Sequence, residues 1–138
     1  MQVQPYLFFN GRAEEALAFY AKAIGAETTF LMRFKDAPEQ PPSEECGHYS
    51  PEHVMHANMT IGGTQVMVSD GAEPGSTFSG FSLSVAVASP EEAARVYQAL
   101  AEGGQASMPV QETFWALAFG MLTDKFGVSW MVNCERPQ

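Results

Sequence analysis

Apolar and polar positions along this chain fall into one pattern that occurs twice. Glu14, Glu15, Ala16, Phe19, Tyr20, Ala23 and Ile24 have the spacing of a helix with an acidic first turn and one apolar face. Glu91, Glu92, Ala93, Val96, Tyr97, Leu100 and Ala101 repeat that stripe at a constant offset. A glycine closes each copy, Gly25 in the first and Gly103-Gly104 in the second. A strand-like apolar run precedes each copy and further short runs follow it.

The first copy reads as a strand over 3–9, a helix over 12–24 and a strand over 27–34. A hairpin, 54–61 with 64–70, turns about Gly62-Gly63. Between these, Pro38, Pro41, Pro42, Pro51 and several acidic residues break the alternation over 35–53. That stretch predicts a long exposed loop, absent from the second copy, of the kind that serves as a lid or a dimer arm. The second copy reads as a strand over 80–88, a helix ending near 102, and strands near 105–112, 114–122 and 127–133. Its helix opens on Ser89-Pro90-Glu91-Glu92, with serine as N-cap and proline at the first helical position. The pattern predicts an α+β fold of two βαβββ modules in a single domain over 1–138. Module one spans 1–70, a linker 71–79, and module two 80–138.

Charge and cysteine usage narrow the partners. The chain has 138 residues, a formal charge of −9 and only seven Lys and Arg, which are scattered. Phosphate backbones need clustered cations, so nucleic acid is not an expected partner. Cys46 and Cys134 lie far apart, which argues against a disulfide framework and for a reducing cytoplasm. Met1 runs straight into a strand-like segment and no apolar run approaches the ~18 residues of a membrane span, so no leader or membrane contact is expected.

Strand alternation sorts the side chains into two faces. Ala57, Met59, Ile61, Val66, Val68, Phe81, Leu83, Val85, Val128, Trp130 and Val132 form the set expected to meet the helices. The opposite set carries Tyr6, Phe8, His56, Asn58, Met67, Ser69, Ser84 and Met131. Soft apolar groups with a few directional polar ones suit a ligand pocket, here a cup on the sheet face. Tyr6, Phe8 and Met67 would supply contact, with His56, Asn58 and Ser69 supplying direction. His56 is the candidate catalytic group, as a general base or a donor to a bound carbonyl. Asp70 and Glu112, at strand ends, read as turn or surface carboxylates, with an acid–base role as the alternative, and Asp124 reads as stabilising its turn through a side-chain hydrogen bond to backbone.

Several of these segments also resemble a known family. Pro5-Tyr6-Leu7-Phe8-Phe9-Asn10-Gly11, Glu14-Glu15-Ala16-Leu17, Phe19-Tyr20, His56-Ala57, Ile61-Gly62-Gly63, Ser69-Asp70, Glu112-Thr113-Phe114-Trp115 and Asp124-Lys125-Phe126-Gly127-Val128-Ser129-Trp130 recur in order in its members. The chain resembles the PhnB-like family of the vicinal oxygen chelate superfamily, with glyoxalase I, bleomycin-resistance proteins and extradiol dioxygenases. The resemblance implies paired modules on one curved, U-shaped mixed sheet and a homodimer. Its members often carry the label 3-demethylubiquinone 3-methyltransferase. A usual methyltransferase needs a glycine-rich loop after a first strand of a doubly wound sheet, and this chain has none.

The resemblance also implies a place for a divalent metal, held by His, Glu or Gln from the first, fourth, fifth and eighth strands. Here those strands offer Gln4 or Tyr6, then Gln65, Met67 or Ser69, then Ser82 or Ser84, and Met131 where the superfamily glutamate falls. A thioether and hydroxyls do not suit a hard divalent ion, so neither metal nor other cofactor is expected. A second constellation, Glu44, Glu45, Cys46, His48, His53 and His56, crowds the loop but matches no recognised zinc spacing. The expected function is metal-independent binding of an unidentified small molecule, as in the bleomycin-resistance branch. The alternatives are a metal-dependent lyase, isomerase or dioxygenase with non-standard ligands, and a non-catalytic assembly domain.

Overall fold

The computed structural model describes residues 1–38 and 50–137. In chain order it contains β1 (Tyr6–Phe8), α1 (Ala13–Ile24), β2 (Glu27–Arg33), a 3-10 turn (Phe34–Asp36), β3 (Val54–Ile61) and β4 (Thr64–Ser69). Then follow β5 (Leu83–Ala86), α2 (Pro90–Ala101), β6 (Gln105–Gln111), β7 (Ala116–Thr123) and β8 (Ser129–Glu135). The two-module α+β fold is as predicted. The hydrogen-bonded unit is a four-stranded sheet in each module, ordered β1-β4-β3-β2 and β5-β8-β7-β6. In both, the first strand runs parallel to the fourth and the remaining pairs are antiparallel. Compact units span Met1–Ser76 and Thr77–Gln138. No helix among the described residues is long and apolar enough to cross a membrane.

Each helix forms for local reasons and is closed differently. In α2, Ser89 Oγ accepts from Glu92 N at 3.1 Å, and Glu92 Oε2 accepts from Ala88 N at 3.1 Å. Ala93, Val96 and Leu100 are its buried stripe, against β6, β7 and β8. In α1, Ala13, Ala16, Leu17, Tyr20 and Ala23 face β2 and β3. Gly25, at φ 71°, lets the chain reverse, and its N–H and that of Ala26 reach Ala21 O and Tyr20 O at 3.1 and 3.2 Å.

The N-terminus of α1 has no side-chain cap from its own Arg12. Asp70, at the far end of β4, supplies one. Its Oδ1 accepts from Gly11 N at 2.8 Å and Ala13 N at 2.9 Å, and its Oδ2 accepts from Val54 N at 2.9 Å. Asp70 is 1% exposed. The sequence reading of a surface carboxylate is therefore corrected: three backbone donors make a buried charge affordable there. Asp124 stabilises its turn as expected, accepting from Phe126 N and Val128 N at 2.9 and 3.0 Å, and it is also buried and accepts from Trp130 Nε1 at 2.8 Å.

Ala57, Met59, Val66, Val68, Val128, Trp130 and Val132 are buried, as the alternation predicts. Phe81 is not: it is exposed, and it lies before the four residues of β5. The predicted strand over 80–88 is shortened to match. The loop predicted over 35–53 begins later than expected, because Phe34 is buried and Phe34–Asp36 form a 3-10 turn. Phe34 N and Lys35 N then pair with His53 O and Pro51 O at 3.1 and 3.0 Å, which joins the described ends of that stretch.

Candidate functional site

In module one, α1 covers one face of the sheet and the other face carries the predicted site. β1 is its edge strand and pairs with β4 so that Tyr6 opposes Met67 and Phe8 opposes Ser69. Asn58 of β3 opposes Met67 from the other side. The ladder thus brings Tyr6, Phe8, His56, Asn58, Met67 and Ser69 together. Tyr6 and Phe8, two residues apart on one strand, stack with centroids 4.5 Å apart and rings 3° from parallel.

A hydrogen-bonded set runs across this face. Tyr6 Oη lies 2.8 Å from His56 Nδ1, and His56 Nε2 lies 3.0 Å from Asn58 Oδ1. Both nitrogens of His56 are engaged, which holds its ring in place. Burial pushes the Tyr6 phenol above its ordinary pKa, and a side-chain hydrogen bond with Ser69 pulls it part of the way back. Tyr6 therefore stays a neutral phenol at neutral pH. Ser69 is itself buried and accepts from Gly71 N at 3.0 Å.

Phe30 was not singled out in the sequence, yet its ring lies 6.0 Å from that of His56. A bulge between Thr28 and Phe30 explains why. The extra residue shifts the phase of β2, so Phe30 opposes Asn58 and Leu31 opposes the buried Ala57. Tyr6, Phe8 and Phe30 are 37%, 47% and 44% exposed, an aromatic rim about a polar floor.

Ser84 and Met131 belong to module two, where they oppose each other across β5 and β8. The equivalent face there also carries Met121, Phe119 and Asn133. Asn133 Oδ1 is buried without a hydrogen-bond partner, a feature that burial alternation could not reveal. Beside it Phe114, Trp115 and Phe119 form an edge-to-face series at 4.8 and 5.4 Å. Trp130 is core, 1% exposed. An open hollow of about 840 Å³ runs along α2, lined by Arg95, Tyr97, Gln98 and Glu102, and none of the predicted site residues lines it.

Of the loop constellation, Glu44, Glu45, Cys46 and His48 lie outside the described residues. His53 packs its imidazole over Gly11, where a Cβ would sit 3.2 Å from Cε1. Among the described residues, no three His, Cys, Asp or Glu side chains gather as metal ligands would.

Comparison with known proteins places this geometry. The family profile for 3-demethylubiquinone-9 3-methyltransferase matches residues 1–133. Protein YjdN of Escherichia coli (strain K12) is 40% identical over 144 residues, which cover 100% of this chain and 98% of that protein. Protein PA1353 from Pseudomonas aeruginosa, a crystal structure, is 42% identical with a TM-score of 0.85, over 99% of each chain. A Bacillus cereus structure described as a 3-demethylubiquinone-9 3-methyltransferase, PhnB protein, is 31% identical with a TM-score of 0.80, over 97% of this chain and 99% of that one. A glyoxalase-related enzyme from Fulvimarina pelagi shares the fold at 17% identity and a TM-score of 0.64, over 98% and 89% of the two chains.

Proposed function

The chain belongs to the family described as 3-demethylubiquinone-9 3-methyltransferase, the PhnB-like branch of the glyoxalase/bleomycin-resistance superfamily, and from that membership we propose that it is a metal-independent small-molecule-binding protein. The ligand lies on the open face of the module-one sheet. One observation carries this reading: the Tyr6–His56–Asn58 set is pre-formed, at 2.8 and 3.0 Å, inside a rim of half-exposed Tyr6, Phe8 and Phe30. Fixed polar groups among aromatic rings bind an aromatic or amphipathic compound with little reorganisation. Met67 and Ser69 complete the floor, and Ser84 and Met131 are the corresponding ligand contacts of module two.

The residues do not fit the groups that relatives' names evoke. Where the superfamily sets its ligands, module one offers Gln4, Tyr6, Gln65, Met67 and Ser69, with Gln65 Nε2 already donating to Gln4 Oε1 at 3.1 Å, and module two offers Ser84 and Met131, in each case neutral donors that suit a hard divalent ion poorly. Methyl transfer needs a cofactor cradle at the first strand–helix turn. There the first N–H groups of α1 are already occupied by Asp70, and His53 closes over Gly11. A phosphonate dianion would need a cation, and Arg33 of β2 is committed to Glu14 at 2.6 Å and to Glu52 O at 2.8 Å. The proposal includes a homodimer and a cytoplasmic setting, the latter supported by the free, buried thiol of Cys134.

The test is a thermal-shift screen of the whole chain against aromatic and amphipathic metabolites in EDTA, repeated with zinc, nickel, manganese and ferrous iron. Stabilisation in EDTA that is lost in Tyr6→Phe is the expected result. Stabilisation only after a metal is added, or none at all, would overturn it. Sedimentation equilibrium decides the dimer.

A further inference from the structure

Every hydrogen in the Tyr6–His56–Asn58 set is assigned by its last member. Asn58 Oδ1, 3.0 Å from His56 Nε2, can only accept, so Nε2 carries the imidazole N–H. A neutral imidazole has one N–H, so Nδ1 is a bare acceptor and Tyr6, at 2.8 Å, donates its O–H to it. The bonds of the set therefore run one way, from Tyr6 through His56 to Asn58, and bonds aligned in this manner polarise one another.

That direction decides what remains for a ligand. The hydrogens of Tyr6 and His56 are spent within the set. Asn58 is left with its Nδ2 amide group, which makes no hydrogen bond among the described residues and is not buried without a partner. We propose that Asn58 is the specificity-determining residue of this face, and that the site takes a neutral, planar ligand carrying a carbonyl-type hydrogen-bond acceptor. His56 is then a positioning residue, which fixes the Asn58 amide by holding its oxygen. Phe30 opposes Asn58 in the ladder, so a ring bonded to Nδ2 would lie against an exposed aromatic edge. Neutrality follows because no Lys or Arg belongs to the set to match an anion, while the group left for the ligand, Asn58 Nδ2, is a donor and offers a cation no acceptor. The inference rests on the open-face binding reading, but its relay stands apart from any ligand.

Two measurements on the whole chain separate them. In ligand-free protein, 15N NMR of the His56 ring is expected to show the Nε2–H tautomer; the Nδ1–H tautomer would overturn the direction of the relay. The side-chain amide of Asn58 is then followed during titration with acetophenone, which only accepts, and aniline, which mainly donates. Acetophenone is expected to move the Asn58 signals more than aniline. Asn58→Asp keeps an oxygen for His56 Nε2 but removes the donor, and about tenfold weaker acetophenone binding is expected. Equal responses to the two probes, or undiminished acetophenone binding in Asn58→Asp, would overturn the ligand class. If neither probe moves any signal on the face while the tautomer is as stated, the open-face reading fails and the ligand class with it.

Discussion

Trp130 donates its indole N–H to Asp124 Oδ2 at 2.8 Å, and the two side chains are 1% and 3% exposed. The other oxygen of Asp124 holds the N–H groups of Phe126 and Val128, so one carboxylate closes the β7–β8 turn and orients the largest core side chain of module two. Asp124→Ala removes the buried acceptor that three donors share. The expected loss is about 3 kcal/mol or more, since each bond to a charged acceptor is worth ~1.5–3 kcal/mol. Trp130→Phe removes one donor and should cost less. Urea unfolding of both variants checks the order, and a Trp130→Phe loss exceeding that of Asp124→Ala would contradict it.

Asp70 caps α1 from across module one, where Ser89 caps α2 from the adjacent position. The two predict different penalties. Ser89→Ala removes one exposed-edge cap and should cost about 1 kcal/mol. Asp70→Asn places an amide N–H₂ against a backbone N–H in a buried site, and should cost about 2–4 kcal/mol. Equal losses would mean that the Asp70 bonds are not what fixes the start of α1.

This contrast also shows why some features were legible in the sequence and others were not. Ser89-Pro90-Glu91-Glu92 is a local signal, and α2 starts where it says. Helical stripes and strand alternation depend on neighbours a few residues apart, so Tyr20, Met59, Val68 and Trp130 could be placed in the core. Asp70 acts on residues 57 to 59 positions earlier, and no local pattern marks such a partner. Phe30 was hidden by a bulge, which reverses the face of every residue before it relative to those after. Tyr6, Phe8, His56 and Asn58 could be assigned to one face by parity. That His56 has both nitrogens engaged could not, because it depends on rotamers as well as register.

Gly120 is required by its neighbours more than by its backbone. A Cβ there would lie 2.9 Å from Tyr97 Cδ2 and from Val110 Cγ2. Tyr97 is held in turn by its hydroxyl, which donates to Met121 O at 3.2 Å. Gly120→Ala should therefore overpack the seam between α2 and the sheet, costing about 1–3 kcal/mol. Adding Tyr97→Leu should recover part of that loss. If the double variant is as unstable as the sum of the single ones, the clash is not with Tyr97.

Alkaline titration tests the state of Tyr6. Its pKa is raised, first by burial, with the bond to Ser69 acting the other way. An acid whose folded pKa exceeds its unfolded value binds more protons when folded, in the window between the two. Stability is therefore unaffected by this group below the unfolded tyrosine value of ~10 and falls as pH rises from there through the folded pKa. Tyr97, also raised by burial, adds to the same loss. Phenolate absorbance should show tyrosines titrating later than free tyrosine, and Tyr6→Phe should remove one of them and flatten the alkaline fall in melting temperature. A Tyr6 that ionised earlier than free tyrosine would mean that the face stabilises a phenolate. The neutral phenol that donates to His56 would then be the wrong species, and the hydrogen-bond direction built on it would reverse.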